Sequence, residues 1–555
     1  MTTTPTTRRR RALAALAGGT ILAGSIATHG HAAGRDNSTT TPIKHVVVIF
    51  QENITFDHYF ATYPVAANPA GEPRFVARDD TPSVNGLSAG LLASNLNKFA
   101  PFRLDRAEAD TCDQDHNYSD EQKAVDMGLL DKFVQATGKT GLGCRPDGST
   151  VMGYFDGNTV TALWNYAQHY ALNDNSFGTT FGPSTPGALN LITGQTHGAS
   201  IPAGPASSSV IDGTIIGDLD AYLDDCGADA GGTKPSASTV LMAGTNIGDL
   251  LNANDVTWGW FQGGFAPTAP AVTTGPDQSP AVCGASHDGH PDVPNPSAAD
   301  GNTTTPPTDI HGPVADYSAH HEPFMYYPST RNPHHLPPSS VAMIGKTDQA
   351  NHQYDIADFW NALDSGHLPA VTFLKAPEYQ DGHPGYSDPL SEQTFLVQVI
   401  NALQESKYWG DTAVFINWDD SDGWYDHVTG PIINRSNTSA DFLAGTGNCG
   451  TPAATAFEGR CGYGPRIPLL LISPWARENF VDHTTTDQSS MIGFVEENWG
   501  LGTVDGATPP PAGQSSFDRL AGPVTAMFDF DDRPRDDRKL ILDPATGAVV
   551  HHDRD

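Results

Sequence analysis

Positive charge is what this chain has least of. Lys and Arg together number 30 against 64 Asp and Glu, a formal charge of −34. Such a field repels phosphate backbones and excludes general nucleic-acid binding. It equally disfavours tight adsorption to anionic membranes. Beyond the N-terminus no stretch offers about 18 continuous apolar residues, so no membrane-spanning helix is expected there. No HExxH and no CxxC spacing occurs, and there is no internal repeat, which points to a single catalytic domain with insertions. With 38% hydrophobic and 17% charged residues over 555 positions, the chain is too apolar to be disordered. Its 56 Gly and 43 Pro exclude a helical bundle, because both residues interrupt helix interiors.

Arg8 to Arg11 precede a short apolar stretch from Ala12 to Ala27, with small residues at Ala32 and Ala33. Residues 1–33 therefore read as an export signal of the twin-arginine type, and the mature protein as secreted or periplasmic. Six cysteines fit an oxidising compartment. Fifteen pairings are formally open, and sequence order suggests Cys112 with Cys144, Cys226 with Cys283 and Cys449 with Cys461.

Ile43 to Phe50 (IKHVVVIF) is β-branched and apolar, then stops abruptly at Gln51, Glu52 and Asn53, as a buried parallel strand does at its C-terminal loop. Ala370 to Leu374, Thr412 to Trp418 and Ile467 to Ser473 repeat the pattern, whereas Glu392 to Gln404 and Gln488 to Trp499 have helical spacing. The expected class is α/β, a central, mostly parallel sheet flanked by helices. In such sheets chemistry collects beyond the strand C-termini. The catalytic domain is placed at 40–505. Residues 262–338, dense in Pro, Thr, Ser, Gly and His, read as a loop or lid insertion, and 506–555 as a linker and C-terminal appendage.

Glu52 and Asn53 are hard oxygen ligands suited to a divalent cation, although alone they read equally well as a loop bonding its own backbone. Asp419 and Asp420 follow another apolar strand in WDDSDGWYDH, and adjacent carboxylates repel unless a cation or proton intervenes. Asp422 and Gly423 are expected to form a solvated acidic turn. Ser184 lies between Pro183 and Pro186 just before an apolar stretch able to be a helix. It is a candidate nucleophile activated by a metal, its bland alternative being a helix cap. The G-x-S-x-G match at Gly86 to Gly90 follows no convincing strand and reads as a chance loop. His116, the pair His320 and His321, and His383 sit in polar loops, while His334, His335, His551 and His552 are taken as surface residues.

Together IKHVVVIFQENITFDHYF, FGPSTPGALNLITGQTHG, HHEPFMYY and DDSDGWYDH resemble the bacterial phospholipase C and acid phosphatase family of the alkaline-phosphatase-like superfamily, from about Ile43 to Trp499. The resemblance implies a hydroxyl nucleophile attacking phosphorus beside a metal ion. By motif, Glu52, Asn53, Asp419 and Asp420 would hold the metal, which could be calcium, magnesium or zinc. Ser184 would be the nucleophile, with Thr185 its local rival, and His116, His320 and His383 would contact phosphate or move protons. Two positions depart from the family pattern. Gly187 and Ala188 stand where many members read Asn-Arg, and Ile54 replaces an Arg. The reading is a secreted metal-dependent phosphoric ester hydrolase, phospholipase C-like, acting on phospholipid or a small phosphate ester with at most transient membrane contact. Its alternatives are an acid phosphatase for soluble phosphomonoesters and a non-catalytic metal- or anion-binding protein.

Overall fold

The computed structural model describes residues 38–552 apart from 203, 228–237, 276–277, 290–311 and 532–537. The N-terminal segment read as an export signal and the middle of the 262–338 insertion lie outside the described residues.

Eight strands make one central sheet, numbered here in chain order: β1 (His45–Gln51), β2 (Ala171–Asn173), β3 (Trp258–Gln262), β4 (Gln353–Asp355), β5 (Val371–Lys375), β6 (Thr412–Trp418), β7 (Leu469–Ile472) and β8 (Phe480–Asp482). Their spatial order is β4-β3-β5-β1-β6-β7-β2-β8. All run parallel except β7, which is antiparallel to both neighbours. From Val46 to Gln51 every residue of β1 is buried, and β5 and β6 are buried throughout. Such continuous apolar runs are what a strand covered on both faces requires.

Helices α1 (Tyr118–Val125), α2 (Thr161–His169), α3 (Ser184–Thr193), α4 (Ile356–Ser365), α5 (Pro389–Glu405) and α6 (Ser490–Trp499) are the longer helices among the described residues. Their ends follow local chemistry. Asp388 accepts from the backbone N–H groups of Leu390 and Ser391 with Pro389 in the first turn, so α5 starts there. Gly194, Gly366 and Gly500 adopt left-handed backbone at the C-termini of α3, α4 and α6.

The C-terminal appendage is part of this body. Strands Leu540–Leu542 and Val549–His552 pair antiparallel, and Asn401 and Gln404 of α5 bond the backbone at Leu542 and Leu540. Cys112–Cys144, Cys226–Cys283 and Cys449–Cys461 are bonded, in sequence order. Ser88, centre of the G-x-S-x-G match, caps the short helix Ala89–Ala93, which leaves it a structural job.

Two expectations are corrected. Asp422 is fully buried, its carboxylate accepting from the backbone N–H of Gln114, so this is an interior polar turn and not a solvated one. His335 is buried as well, bonded through Nε2 to Asp224 at 2.7 Å and through Nδ1 to the Phe265 carbonyl at 2.8 Å.

Candidate active site

Register places the site. In the parallel pair β1 and β6, Gln51 stands opposite Trp418, so Glu52 and Asp419 leave the sheet side by side. Asn53 then turns into left-handed backbone (φ 53°), which Asn tolerates better than most residues. Its N–H donates to Asp419 Oδ1 at 3.1 Å, and the N–H of Asp420 donates to the same oxygen at 2.8 Å. Asp419 Oδ2 is buried with no hydrogen-bond partner.

Helix α3 delivers the hydroxyl. Ser184 is its first residue, and Oγ lies 3.1 Å from Glu52 Oε2 and 3.3 Å from Asp420 Oδ2. The approach depends on Gly187, where a β-carbon would sit 2.1 Å from the carbonyl oxygen of Asp419. That contact accounts for a glycine at the first departure from the family pattern. Thr185 points its backbone elsewhere, its N–H donating to Asp218 Oδ1 at 2.9 Å.

One end of the Asn53 side-chain amide sits 2.7 Å from Glu52 Oε2 and 3.0 Å from Asp419 Oδ1, and the other end 3.0 Å from His383 Nε2. With nitrogen towards the carboxylates, the amide donates to both. The orphaned Asp419 oxygen and the two carboxylates beside Ser184 make a donor set that fits a divalent metal ion.

Three further residues enter the cluster: Lys375 and Asp381, not singled out from sequence, and His321, to which the motif assigned no role. Lys375, the last residue of β5, ion-pairs with Glu52 Oε1, and His321 Nδ1 lies 3.3 Å from the same oxygen. Asp381 brings a carboxylate within ligand range of Glu52 and His321. Burial draws the Lys375 ammonium below the usual lysine pKa, against the pull of Asp419, Asp381 and Asp420. Burial, then the neighbouring Asp419, pushes the Asp420 carboxyl well above the usual range. The signal for Lys375 was available: a lysine closing an otherwise apolar central strand. The signal separating His321 from His320 was not. His320 is the more exposed of the two, its Nδ1 3.2 Å from Ser318 Oγ and 3.9 Å from Asp220, while its neighbour faces Glu52.

His116 and His383 flank Asn53 with ring centroids 6.0 Å apart. His116 Nδ1 bonds the Gln114 carbonyl at 2.9 Å, with Asp422 at 3.3 Å and Asp113 at 3.4 Å, which turns Nε2 towards Asn53. Burial alone would lower its pKa; Asp420, Asp422 and Asp113 outweigh burial and raise it well above the usual histidine value. For His383 burial prevails and draws the pKa down to about 4. The structure thus gathers Glu52, Asn53, Ser184, Asp419 and Asp420 into one cluster with His116 and His383 at its edge, and leaves His320 outside.

Ser184 Oγ thus lies buried among carboxylates at the C-terminal end of a mostly parallel sheet. The sequence pattern of the Phosphoesterase family matches residues 43–502, and the chain belongs to that family. It is 24% identical over 475 residues to a non-hemolytic phospholipase C of Burkholderia pseudomallei, covering 84% of this chain and 56% of that protein. A non-hemolytic phospholipase C of Pseudomonas aeruginosa is 22% identical with the same coverages. Phospholipase C B of Mycobacterium tuberculosis is 21% identical over 95% of this chain and 85% of its own length. The chain thus spans little more than half the length of the first two. A solved structure in the alkaline phosphatase superfamily from Vibrio parahaemolyticus aligns over 84% of this chain and 69% of that chain at 11% identity and a TM-score of 0.28, too low to carry an argument.

Proposed function

We propose that this protein is an exported phosphoric ester hydrolase of the phospholipase C type, cleaving the bond between phosphate and the alcohol of a phospholipid or related ester. The observation that carries the reading is the position of Ser184 Oγ between Glu52 and Asp420 at the ends of two adjacent strands.

Ser184 Oγ gives its proton to one of these carboxylates as it bonds to phosphorus, and the bond from phosphorus to the alcohol oxygen breaks. The departing oxygen takes a proton from the His116 imidazolium at the edge of the cluster, whose pKa its acidic neighbours raise. Water then attacks phosphorus, the now neutral His116 taking its proton, and as the bond from phosphorus to Oγ breaks, Oγ recovers its proton from the carboxyl group. Lys375 balances part of the carboxylate charge, without which four acidic side chains would repel an anionic substrate. A divalent cation held by Glu52, Asn53, Asp419 and Asp420 would lower the serine pKa and stabilise charge developing on the phosphoryl oxygens. Three disulfides and the N-terminal arginines support export.

The test uses p-nitrophenyl phosphorylcholine and p-nitrophenyl phosphate, each with and without chelator. Turnover that chelation abolishes and a divalent cation restores is expected; no turnover of either ester by metal-containing protein would leave only a binding role. Release of phosphocholine rather than inorganic phosphate from phosphatidylcholine is expected, and a strong preference for soluble monoesters would make it an acid phosphatase.

A further inference from the structure

Helix α1 ends in a costly turn. From Asp126 to Leu130, four of five residues have positive φ: Asp126 at 42°, Met127 at 57°, Gly128 at 88° and Leu130 at 54°. Only glycine enters this region without steric penalty, so three side-chain-bearing residues are held against their preference. The turn sorts its apolar side chains. Leu130 folds inward against two small apolar clusters, while Met127 and Leu129 remain 66% and 53% exposed. A second loop is pinned beside it. Asn97 Nδ2 donates to the Leu130 carbonyl at 2.6 Å, and its Oδ1 accepts from the Phe133 N–H at 2.9 Å. Its chain neighbour is Leu96, at 74% the most exposed large apolar residue among those described.

This projection is continuous with the site. In the middle of α1, Glu121 accepts from the Gly182 N–H at 2.8 Å, on the segment leading to Ser184, and from the hydroxyl of Ser421, next to Asp420. α1 ends at Val125, four residues beyond Glu121, and Met127 follows two residues later. Around the tips the charges come as pairs, Lys132 with Asp126 and Lys123 with Asp120, both at 2.6 Å. A surface of alternating sign suits zwitterionic headgroups, whereas an anionic membrane would be repelled by the chain's charge of −34.

We propose that Leu96, Met127 and Leu129 form an interfacial anchor that seats the protein on a zwitterionic phospholipid surface beside the Ser184 cluster. The inference rests on the phospholipid reading above, but its test can fail separately. The full chain and its L96S/M127S/L129S variant are compared in flotation with phosphatidylcholine vesicles, in turnover of those vesicles, and in turnover of soluble p-nitrophenyl phosphorylcholine. A V272S/V282S variant, altering exposed valines elsewhere, serves as control. The triple variant should lose vesicle binding and vesicle turnover by about tenfold or more, with the soluble ester and the thermal midpoint unchanged. Equal vesicle binding by wild type and triple variant, an equal loss in the control, or a parallel loss on the soluble ester would overturn the anchor. Should wild type bind vesicles through these residues without cleaving them, the anchor stands and the phospholipid reading falls.

Discussion

At Gly187 a single hydrogen atom decides how closely α3 meets the strand end. Because a β-carbon would lie 2.1 Å from a backbone oxygen, Gly187→Ala must push Ser184 away from Glu52 and Asp420. Displacements of that size cost about a hundredfold in rate when reacting groups have to align. The variant should therefore lose kcat together with some thermal stability, because backbone must give way; unchanged kcat would show that Ser184 needs no such closeness. Ser184→Ala itself should lower turnover by roughly a thousandfold or more with metal content intact. Thr185→Ala should be far milder, since the Thr185 hydroxyl makes no bond to either carboxylate whereas Ser184 Oγ bonds both, and the reverse ranking would reassign the nucleophile. Asp419 belongs at the same scale. One oxygen is occupied by two backbone N–H groups and the other has no partner, so Asp419→Asn should reduce bound metal together with rate. Retained metal with lost rate would point instead to proton transfer.

Among elements, the strand ends are braced from behind by a buried ion cluster. Arg466, just before β7, reaches both Asp426 oxygens through Nε at 3.1 Å and Asp57 through Nη2 at 3.0 Å, while His427 Nδ1 sits 2.6 Å from Asp57. Asp57 belongs to the short helix Phe56–Phe60, which follows Glu52 and Asn53, and Asp426 ends the loop that starts at Asp419. One guanidinium thus ties together the two segments that carry the site. Arg466→Ala leaves buried Asp426 without its cation and Asp57 with His427 alone, and chemical denaturation should show a loss of roughly 3–5 kcal/mol. A change below about 1 kcal/mol would mean that water or a proton replaces the arginine readily.

Over the whole molecule, burial of carboxyl groups shapes the pH response. Burial pushes Glu392 up to about 8 and Glu496 up to about 9, from an ordinary value of 4.5. Between the unfolded and folded values the native state holds more protons than the unfolded chain. The stability they contribute is complete below about pH 4.5 and is lost as pH rises through 8 and 9. The thermal midpoint should accordingly fall between pH 6 and pH 9, and Glu392→Gln should flatten part of that slope. A midpoint that stays level or rises over this window would count against the raised values.

The sequence by itself determined the α/β class, the two acidic strand ends and the Pro-framed serine. Each is a local pattern: a buried strand is apolar along its length, and the residue that breaks the run marks the sheet edge where chemistry sits. Cysteine order gave the correct pairing for the same reason, since each bridge closes a segment between cysteines consecutive in the chain. Tertiary structure alone decided the rest. Lys375 and Asp381 reach Glu52 because β5 lies beside β1, an adjacency between segments more than three hundred residues apart that no local pattern encodes. His321 faces the cluster in place of His320 because a short 3-10 turn rotates successive side chains apart. Asp422 looks like a solvated loop residue in sequence, and it is interior only because the segment around Gln114 folds over it. Burial of polar groups is settled by what the rest of the chain places around them, and the sequence of the group itself does not carry that information.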